Sequence, residues 1–191
     1  MGAAITDPEG RLLSRGRNRI FENAAPLPYL HGHRLAHAEM NALLALEALH
    51  DSRHECVLYT TTEPCPLCTG AIRQYGVPEV HYASRDPAGG SIALLNATSF
   101  MRRRPVKVVG PPIPELEIVI MAMFTEFSLR ARQMSLTWWL FESWEAVVPQ
   151  GVRLGRALAE SEALRRLSET AAPASTVINY IQRFANQSSP R

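Results

Sequence analysis

Short apolar segments separated by turn residues dominate the beginning of the chain. Residues 3–6 and 12–16 are largely apolar, and the polar stretch between them contains Pro8 and Gly10. Proline and glycine supply the backbone dihedrals of a tight turn, so this pattern predicts a β-hairpin. Residues 17–35 show no period and contain two prolines and two histidines, which predicts a long irregular loop and a candidate pocket wall.

A helical period follows this loop and runs from His37 to about His50. The apolar residues that define the helical spacing are Met40, Leu43, Leu44, Leu46 and Leu49. Three later segments have the length and β-branched content of strands, namely 56–61, 80–83 and 105–109. Two further segments predict helices, namely 66–75 and 114–134. The order β-β-α-β-α-β-β-α predicts an α/β fold, a three-layer α/β/α sandwich with a five-stranded mixed sheet.

The character of the sequence changes after residue 134. All three tryptophans fall within seven residues, at Trp138, Trp139 and Trp144. An amphipathic helix is predicted over 152–167, followed by a linker at 171–175 and a short helix through Tyr180 and Phe184. We therefore expect a core domain over 1–134 and a helical C-terminal extension over 135–191. Apolar neighbours at helical spacing favour a core or interface role for the tryptophans over base stacking.

Composition narrows the class of protein. The chain has 191 residues, 46% of them hydrophobic, which is ample for a globular core. No run of eighteen apolar residues occurs, and Asp7 comes too early for a secretory signal, so we expect a soluble cytoplasmic protein with no membrane partner. Three cysteines are an odd number, and the spacing of Cys65 and Cys68 suits a metal better than a disulfide framework.

Two short stretches combine residues with metal chemistry. His37-Ala38-Glu39 begins the first predicted helix, and Cys65 and Cys68 begin the second within the sequence Pro64-Cys65-Pro66-Leu67-Cys68. One histidine and two cysteines give zinc three protein ligands and leave its fourth position open, which is typical of a catalytic site. A lone C-x-x-C also occurs in structural metal sites, so a non-catalytic zinc-stabilised scaffold is an alternative.

Glu39 is the residue that favours catalysis. Residues two apart in mid-helix point about 200° away from each other, so His37 and Glu39 converge only at a helix end, and we place His37 in the first turn. A carboxylate there is suited to take a proton from water beside the zinc and to pass it to a ring nitrogen and a departing amine.

These motifs resemble those of the cytidine/deoxycytidylate deaminase superfamily, whose zinc deaminases carry H-x-E and P-C-x-x-C. The resemblance covers about residues 3–125 and is strongest to the branch of tRNA adenosine, guanine and cytosine deaminases. It includes 16–19 (Gly-Arg-Asn-Arg), 62–63 (Thr-Glu) and 83–86 (Ala-Ser-Arg-Asp). The resemblance implies His37, Cys65 and Cys68 as Zn²⁺ ligands, Glu39 as proton shuttle, Asn18, Ala38 and Pro64 as substrate contacts, and a homodimer.

Two departures from the branch concern pocket and packing. Members of the branch usually have a helix before the first strand, whereas this sequence starts almost within that strand. The loop from Asn18 to His37 is also longer than is usual in the branch. We hypothesise that the C-terminal extension covers the sheet in place of the missing helix, or forms an oligomer interface.

Charge distinguishes the possible substrates. Residues 1–125 contain 12 basic and 12 acidic side chains, and the whole chain has a formal charge of +2. An enzyme that binds tRNA normally shows a basic surface, so this balance favours a small free nucleobase or nucleoside. A tRNA adenosine deaminase is the enzymatic alternative, for which Arg102, Arg103 and Arg104 would form a local basic patch.

Overall fold

A computed structural model describes residues 1–48, 55–131 and 137–188 of the chain. The chain forms two compact units, Met1–Pro112 and Ile113–Arg191. The sequence predicts a boundary after residue 134, whereas the observed division comes 22 residues earlier. The reason is that the helix Pro114–Arg130 packs against the later helix Pro149–Ser161 within the second unit. That residues 1–134 form one functional domain stays a prediction.

The first unit is built on a five-stranded mixed sheet. Its strands are β1 (Gly2–Thr6), β2 (Leu12–Arg17), β3 (Val57–Thr60), β4 (Glu79–Tyr82) and β5 (Lys107–Val109), in the order β2-β1-β3-β4-β5. β1 is antiparallel to both β2 and β3, while β3, β4 and β5 run parallel. The predicted hairpin and mixed sheet are therefore confirmed, with each strand within two residues of its predicted bounds.

Two helices pack against this sheet and carry the motifs. They are α1 (Ala38–Glu47) and α2 (Pro66–Tyr75), which ends at Gly76 with φ +93°. The core between helices and sheet consists of fully or nearly buried apolar side chains, namely Ala3, Ile5, Ala38, Ala42, Leu43, Leu46, Cys56, Leu58, Ile72, Val77 and Val80. The predicted continuation of α1 to residue 50 includes positions outside the described residues.

The connection from β4 to β5 has more structure than the sequence predicts. It contains a 3₁₀ helix, Ile92–Asn96, and the single-turn helix α3, Ser99–Arg102. Arg73 of α2 is buried and donates to the carbonyl oxygens of Phe100 and Met101. This local capping of α3 by a residue from another helix has no signature in the sequence.

The second unit is entirely helical in its described part. Its helices are α4 (Pro114–Arg130), α5 (Thr137–Val147), α6 (Pro149–Ser161), α7 (Ala163–Glu169) and α8 (Ala174–Ser188). The prediction of one helix over 152–167 is wrong, because Glu162 adopts a left-handed backbone conformation with φ +53° and separates α6 from α7. The proposed linker at 171–175 is also shorter than predicted, since α8 begins at Ala174.

The tryptophan cluster lies in α5. Trp144 is 1% exposed and packs against the rings of Phe124 and Phe141, with centroid distances of 4.7 and 5.5 Å. Trp139 is 38% exposed, and the side chain of Trp138 is outside the described part of the structure. The core role is thus confirmed for Trp144 alone, and covering of the sheet or oligomer formation stays a hypothesis.

None of the helices in the described ranges combines the length with the apolar character needed to cross a bilayer. The cytoplasmic location stays a prediction.

Candidate metal centre and active site

His37 and Glu39 meet at the start of α1 because the backbone changes direction there. His37 is the N-cap residue, with φ −74° and ψ 159°, and the helix begins at Ala38. The prediction that these two side chains converge at a helix end is confirmed. However, His37 lies one residue earlier than predicted, in extended backbone before the first turn. Its side chain makes no capping hydrogen bond, so the imidazole is available to a metal.

Cys65 and Cys68 occupy the corresponding place on α2. Cys65 is the N-cap residue in extended backbone, Pro66 is the first helical residue, and Cys68 lies within the first turn. Proline is well tolerated at this position because its missing N–H has no partner in a first turn. Two helix N-termini therefore meet at the site, and their positive ends favour negatively charged thiolates.

The three predicted ligands form one cluster whose spacing fits zinc. Nδ1 of His37 lies 3.5 Å from Sγ of Cys65 and 3.5 Å from Sγ of Cys68, and the three atoms lie within 4.8 Å of one another. A tetrahedral zinc ion with Zn–S of about 2.3 Å and Zn–N of about 2.05 Å separates nitrogen from sulfur by about 3.6 Å. The donor set and its spacing therefore fit Zn²⁺, with Nδ1 as the histidine ligand.

The side chains of the cluster shift one another's pKa values. A hydrogen bond from Cys68, together with His37, lowers the pKa of Cys65 to about 4. The same bond and burial raise the pKa of the Cys68 thiol far above its ordinary range, so without metal one proton is retained between the two sulfurs. The hydrogen bond to Cys65 also raises the pKa of His37. Both cysteines would bind a metal ion as thiolates, having lost these protons.

Glu39 lies beside the cluster in a buried environment. Its side chain is 5% exposed, and burial raises its pKa above the ordinary value. Oε2 lies 3.4 Å from Cys68 Sγ, and Oε1 accepts a hydrogen bond of 3.1 Å from the hydroxyl of Thr60. Thr60 ends β3 and was not singled out in the sequence, where it reads as an ordinary strand residue.

The three predicted substrate contacts have different surroundings. Asn18 follows β2, and its Oδ1 accepts a hydrogen bond of 3.1 Å from the N–H of Ile20. Ala38 is buried as the first residue of α1. The carbonyl oxygen of Pro64 accepts hydrogen bonds from Ser91 N at 2.8 Å and Thr69 Oγ1 at 3.2 Å. The substrate roles of these three residues stay predictions.

A second loop fixes the backbone just before Cys65. Glu63 N donates to the carbonyl oxygen of Ser84 at 2.8 Å, and Glu63 Oε1 accepts from Ile92 N at 3.3 Å. Gly90 lies so close that an added Cβ would be 2.5 Å from Cδ of Glu63. In the sequence, Glu63 is recognisable only as part of the Thr-Glu motif before Pro64, because its contacts with Ile92 and Gly90 are distant along the chain.

The residues that surround the cluster are similar to those of a known protein family. Residues 1–84 match the family described as the cytidine and deoxycytidylate deaminase zinc-binding region. The N-terminal part of this chain thus resembles the zinc-binding region of the cytidine/deoxycytidylate deaminase superfamily, over less than half of the chain. The predicted resemblance is thereby confirmed, and the matched region includes His37, Glu39, Cys65 and Cys68.

Curated relatives that match part of this chain are named for different substrates. A cytosine deaminase of Candida albicans is 35% identical over 82 residues, which is 42% of this chain and 49% of that protein. A tRNA-specific adenosine deaminase of Agrobacterium fabrum is 34% identical over 91 residues, 47% and 55% of the two chains. A tRNA(Ile)-lysidine synthase of Deinococcus radiodurans is 30% identical over 94 residues, 48% of this chain but only 15% of that protein.

The superfamily fold is also seen in solved structures. A variant of the protein NE0047 in complex with 8-azaguanine superposes with a TM-score of 0.51 at 21% identity, covering 64% of this chain and 70% of that chain. The cytidine deaminase-like fold class is therefore confirmed. The chain spans about half the length of the two deaminase relatives above and a small fraction of the synthase.

Proposed function

We propose that this protein is a zinc-dependent hydrolytic deaminase that converts an exocyclic amino group of a free nucleobase or nucleoside to a carbonyl and releases ammonia. The observation that carries this proposal is the position of Glu39, a buried carboxylate 3.4 Å from the sulfur of a metal ligand. A structural zinc site gains nothing from a further negative group beside its two thiolates. A hydrolytic site requires a base there.

His37, Cys65 and Cys68 would hold the zinc ion, whose open coordination position supplies an activated water and Lewis-acid polarisation when the metal is bound. Glu39 would accept a proton from the attacking water, donate it to a ring nitrogen, and then protonate the departing amine. Its raised pKa suits these exchanges because a proton shuttle works best when its pKa is near the operating pH. Thr60 would hold one carboxylate oxygen, so that the other faces the reaction.

The balance of charge supports a small substrate. Residues 1–125 contain 12 Lys and Arg against 12 Asp and Glu. A protein that neutralises several phosphates needs an excess of basic side chains on the binding face. The free nucleobase or nucleoside is therefore our first choice.

A tRNA adenosine deaminase is the second candidate. A tRNA-specific adenosine deaminase of Bacillus subtilis is 45% identical over 58 residues, 29% of this chain and 36% of that protein. Arg103 and Arg104 are exposed next to α3, whereas Arg102 donates 2.7 Å to the carbonyl oxygen of Asn96. All three arginines are exposed, and they form a small patch compared with what an RNA duplex requires.

The test is ammonia release by zinc-loaded protein from a panel of compounds. The panel comprises cytosine, adenine, guanine, their nucleosides and a tRNA anticodon stem-loop. Glu39→Gln is the inactive variant, and Glu47→Gln is its matched control because Glu47 lies exposed at the end of the same helix. The proposal is supported if wild type and Glu47→Gln both turn over a free compound and Glu39→Gln does not. Turnover of the stem-loop alone supports the second candidate, and no turnover with zinc bound supports a scaffold.

A further inference from the structure

Asn41 is a buried polar residue of α1 to which the catalytic scheme assigns no part. It lies two residues after Glu39, and its side chain is 0% exposed. Nδ2 donates to the carbonyl oxygen of Arg17 at 3.0 Å and to that of Leu30 at 3.1 Å, while Oδ1 accepts from the N–H of Leu30 at 2.7 Å. Because the backbone N–H must meet an oxygen, these partners also fix which way the amide is oriented.

All three partners belong to the polypeptide around the long loop 18–36. Arg17 is the last residue of β2 and directly precedes Asn18, and Leu30 lies within the loop. The loop is closed on itself, since Arg19 N donates to the carbonyl oxygen of Ala36 at 2.8 Å and Gly32 N donates to that of Arg19 at 3.0 Å. Asn41 is therefore the side chain that attaches this loop to the helix bearing Glu39, at two points.

The Asn41 side chain takes the place of a strand neighbour for the backbone of Leu30. A buried N–H or C=O without a partner costs free energy, and a loop has no strand neighbour to supply one. Asn41 satisfies both backbone groups of Leu30 with one carboxamide. Alanine at this position would remove the side-chain partner of both backbone groups of Leu30 and of the Arg17 carbonyl oxygen, and the loop would lose its fixed distance from α1.

We propose that Asn41 is a positioning residue for substrate: it holds the 18–36 loop and the Arg17–Asn18 junction against α1 and thereby sets the shape of the substrate pocket beside Glu39. This inference rests on the proposed function, since it assigns the loop as a pocket wall. It does not involve the metal ligands. Loss of Asn41 should therefore weaken substrate binding while the zinc site and Glu39 remain in place.

Ser14 provides a matched control on the same helix. Its hydroxyl is buried and donates 2.8 Å to the carbonyl oxygen of Ala42, the residue after Asn41. This bond also joins α1 to β2, but it contacts no residue of the 18–36 loop. Ser14→Ala therefore removes a buried hydrogen bond of similar kind without releasing the loop.

The experiment compares zinc-loaded wild type, Asn41→Ala, Asn41→Ser and Ser14→Ala as full chains. Asn41→Ser is included in case the alanine variant fails to fold, because serine can satisfy its own hydroxyl on the carbonyl oxygen of His37 one turn earlier. Three quantities are measured: zinc bound per chain, amide hydrogen exchange of peptides covering 19–35 and 38–47, and kcat and KM for the panel compound that wild type turns over.

We expect both Asn41 variants to bind one zinc per chain, to exchange about 10-fold faster or more in 19–35 than wild type, and to change little in 38–47. KM should rise about 10-fold with kcat within about 3-fold of wild type, the pattern of lost binding rather than lost chemistry. Ser14→Ala should show neither effect.

Unchanged exchange in 19–35, or an equal KM rise in Ser14→Ala, would overturn the proposal. If wild type turns over no compound, the proposed function fails, and the exchange data decide separately whether Asn41 anchors the loop.

Discussion

The hydroxyl of Thr60 and the carboxylate of Glu39 form a buried hydrogen bond of 3.1 Å at the edge of the metal cluster. The same hydroxyl lies 3.5 Å from the carbonyl oxygen of Gly2. A hydroxyl has one proton, and a charged acceptor at the shorter distance binds it more strongly. We therefore infer that the Thr60 hydroxyl donates its hydrogen bond to Glu39. This bond favours the ionised carboxylate and partly offsets the effect of burial on the pKa of Glu39.

Thr60→Val should impair deamination through Glu39. Valine has nearly the same shape but no donor, so the carboxylate loses a bond that stabilises its charged form and its pKa rises further. If Glu39 must be ionised to accept a proton, activity is lost as pH falls through this pKa. The acidic limb of the kcat profile should thus shift to higher pH, with kcat at a fixed pH on that limb reduced by up to about 10-fold for a shift of about one pH unit.

The control for this prediction is Thr60→Ser, which retains the hydroxyl and should restore the wild-type pH profile. An unchanged acidic limb in the valine variant would show that Thr60 does not act on Glu39.

Cys65 should be a reactive thiolate in the zinc-free protein. With a pKa of about 4, most of its side chain is ionised at pH 6, and ionisation declines only as pH falls toward 4. The buried thiol of Cys56 has its pKa raised to about 11, so it remains protonated. Iodoacetamide at pH 6 should therefore label Cys65 and spare Cys56, as read by peptide mass spectrometry.

Zinc supplies the control for the labelling, because a coordinated thiolate is protected. Equal labelling of Cys65 with and without zinc would contradict its assignment as a ligand.

The fold of the first unit could be predicted because its local signals agree. The turn at Pro8 and Gly10, the helical period after His37 and the stop at Gly76 each specify one element without help from distant residues. The failures occur where tertiary contacts decide. α3 is held by Arg73 from another helix, and the break at Glu162 places a charged residue in a conformation for which sequence gives glycine as the usual signal.

The residues of the site also fall into two groups, those recognisable from local sequence and those whose position depends on tertiary contacts. His37, Glu39, Cys65 and Cys68 were identified because their types and spacing report metal chemistry directly. Thr60 and Asn41 were not, because a threonine at a strand end and an asparagine in a helix are common residues. Their roles arise from bonds to partners 21 and 24 positions away in the chain, which no local pattern encodes.

Gly16→Ala should disturb the metal site through the packing of α1 on β2. A Cβ at Gly16 would overlap the carbonyl oxygen of Ala38 and the backbone nitrogen of Ala42. Because these are backbone atoms, the helix itself must move, and it carries His37 at its start. We expect about 1–3 kcal/mol of destabilisation in chemical denaturation and weaker zinc binding in a competition titration.

Gly2→Ala on the adjacent strand is the control for Gly16. Its added Cβ would meet nothing closer than 3.9 Å, so stability and zinc affinity should stay as in wild type. Wild-type zinc affinity in Gly16→Ala would indicate that α1 accommodates the methyl group without moving its N-terminus.

Gly155→Ala should destabilise the second unit and leave the zinc site intact. An added Cβ at Gly155 would lie 2.5 Å from Cβ of Thr125 and 2.6 Å from the carbonyl oxygen of Ala122, so α6 must withdraw from α4. The overlap should lower the free energy of unfolding by about 1–3 kcal/mol.

Gly70→Ala is the matched control within a helix. Its Cβ meets nothing within 4 Å, and alanine should stabilise α2 by up to about 1 kcal/mol. Hydrogen exchange of α4 and α6, measured with bound zinc, tests this prediction. Faster exchange in these helices with full zinc occupancy is expected for Gly155→Ala, and loss of zinc in that variant would contradict the prediction.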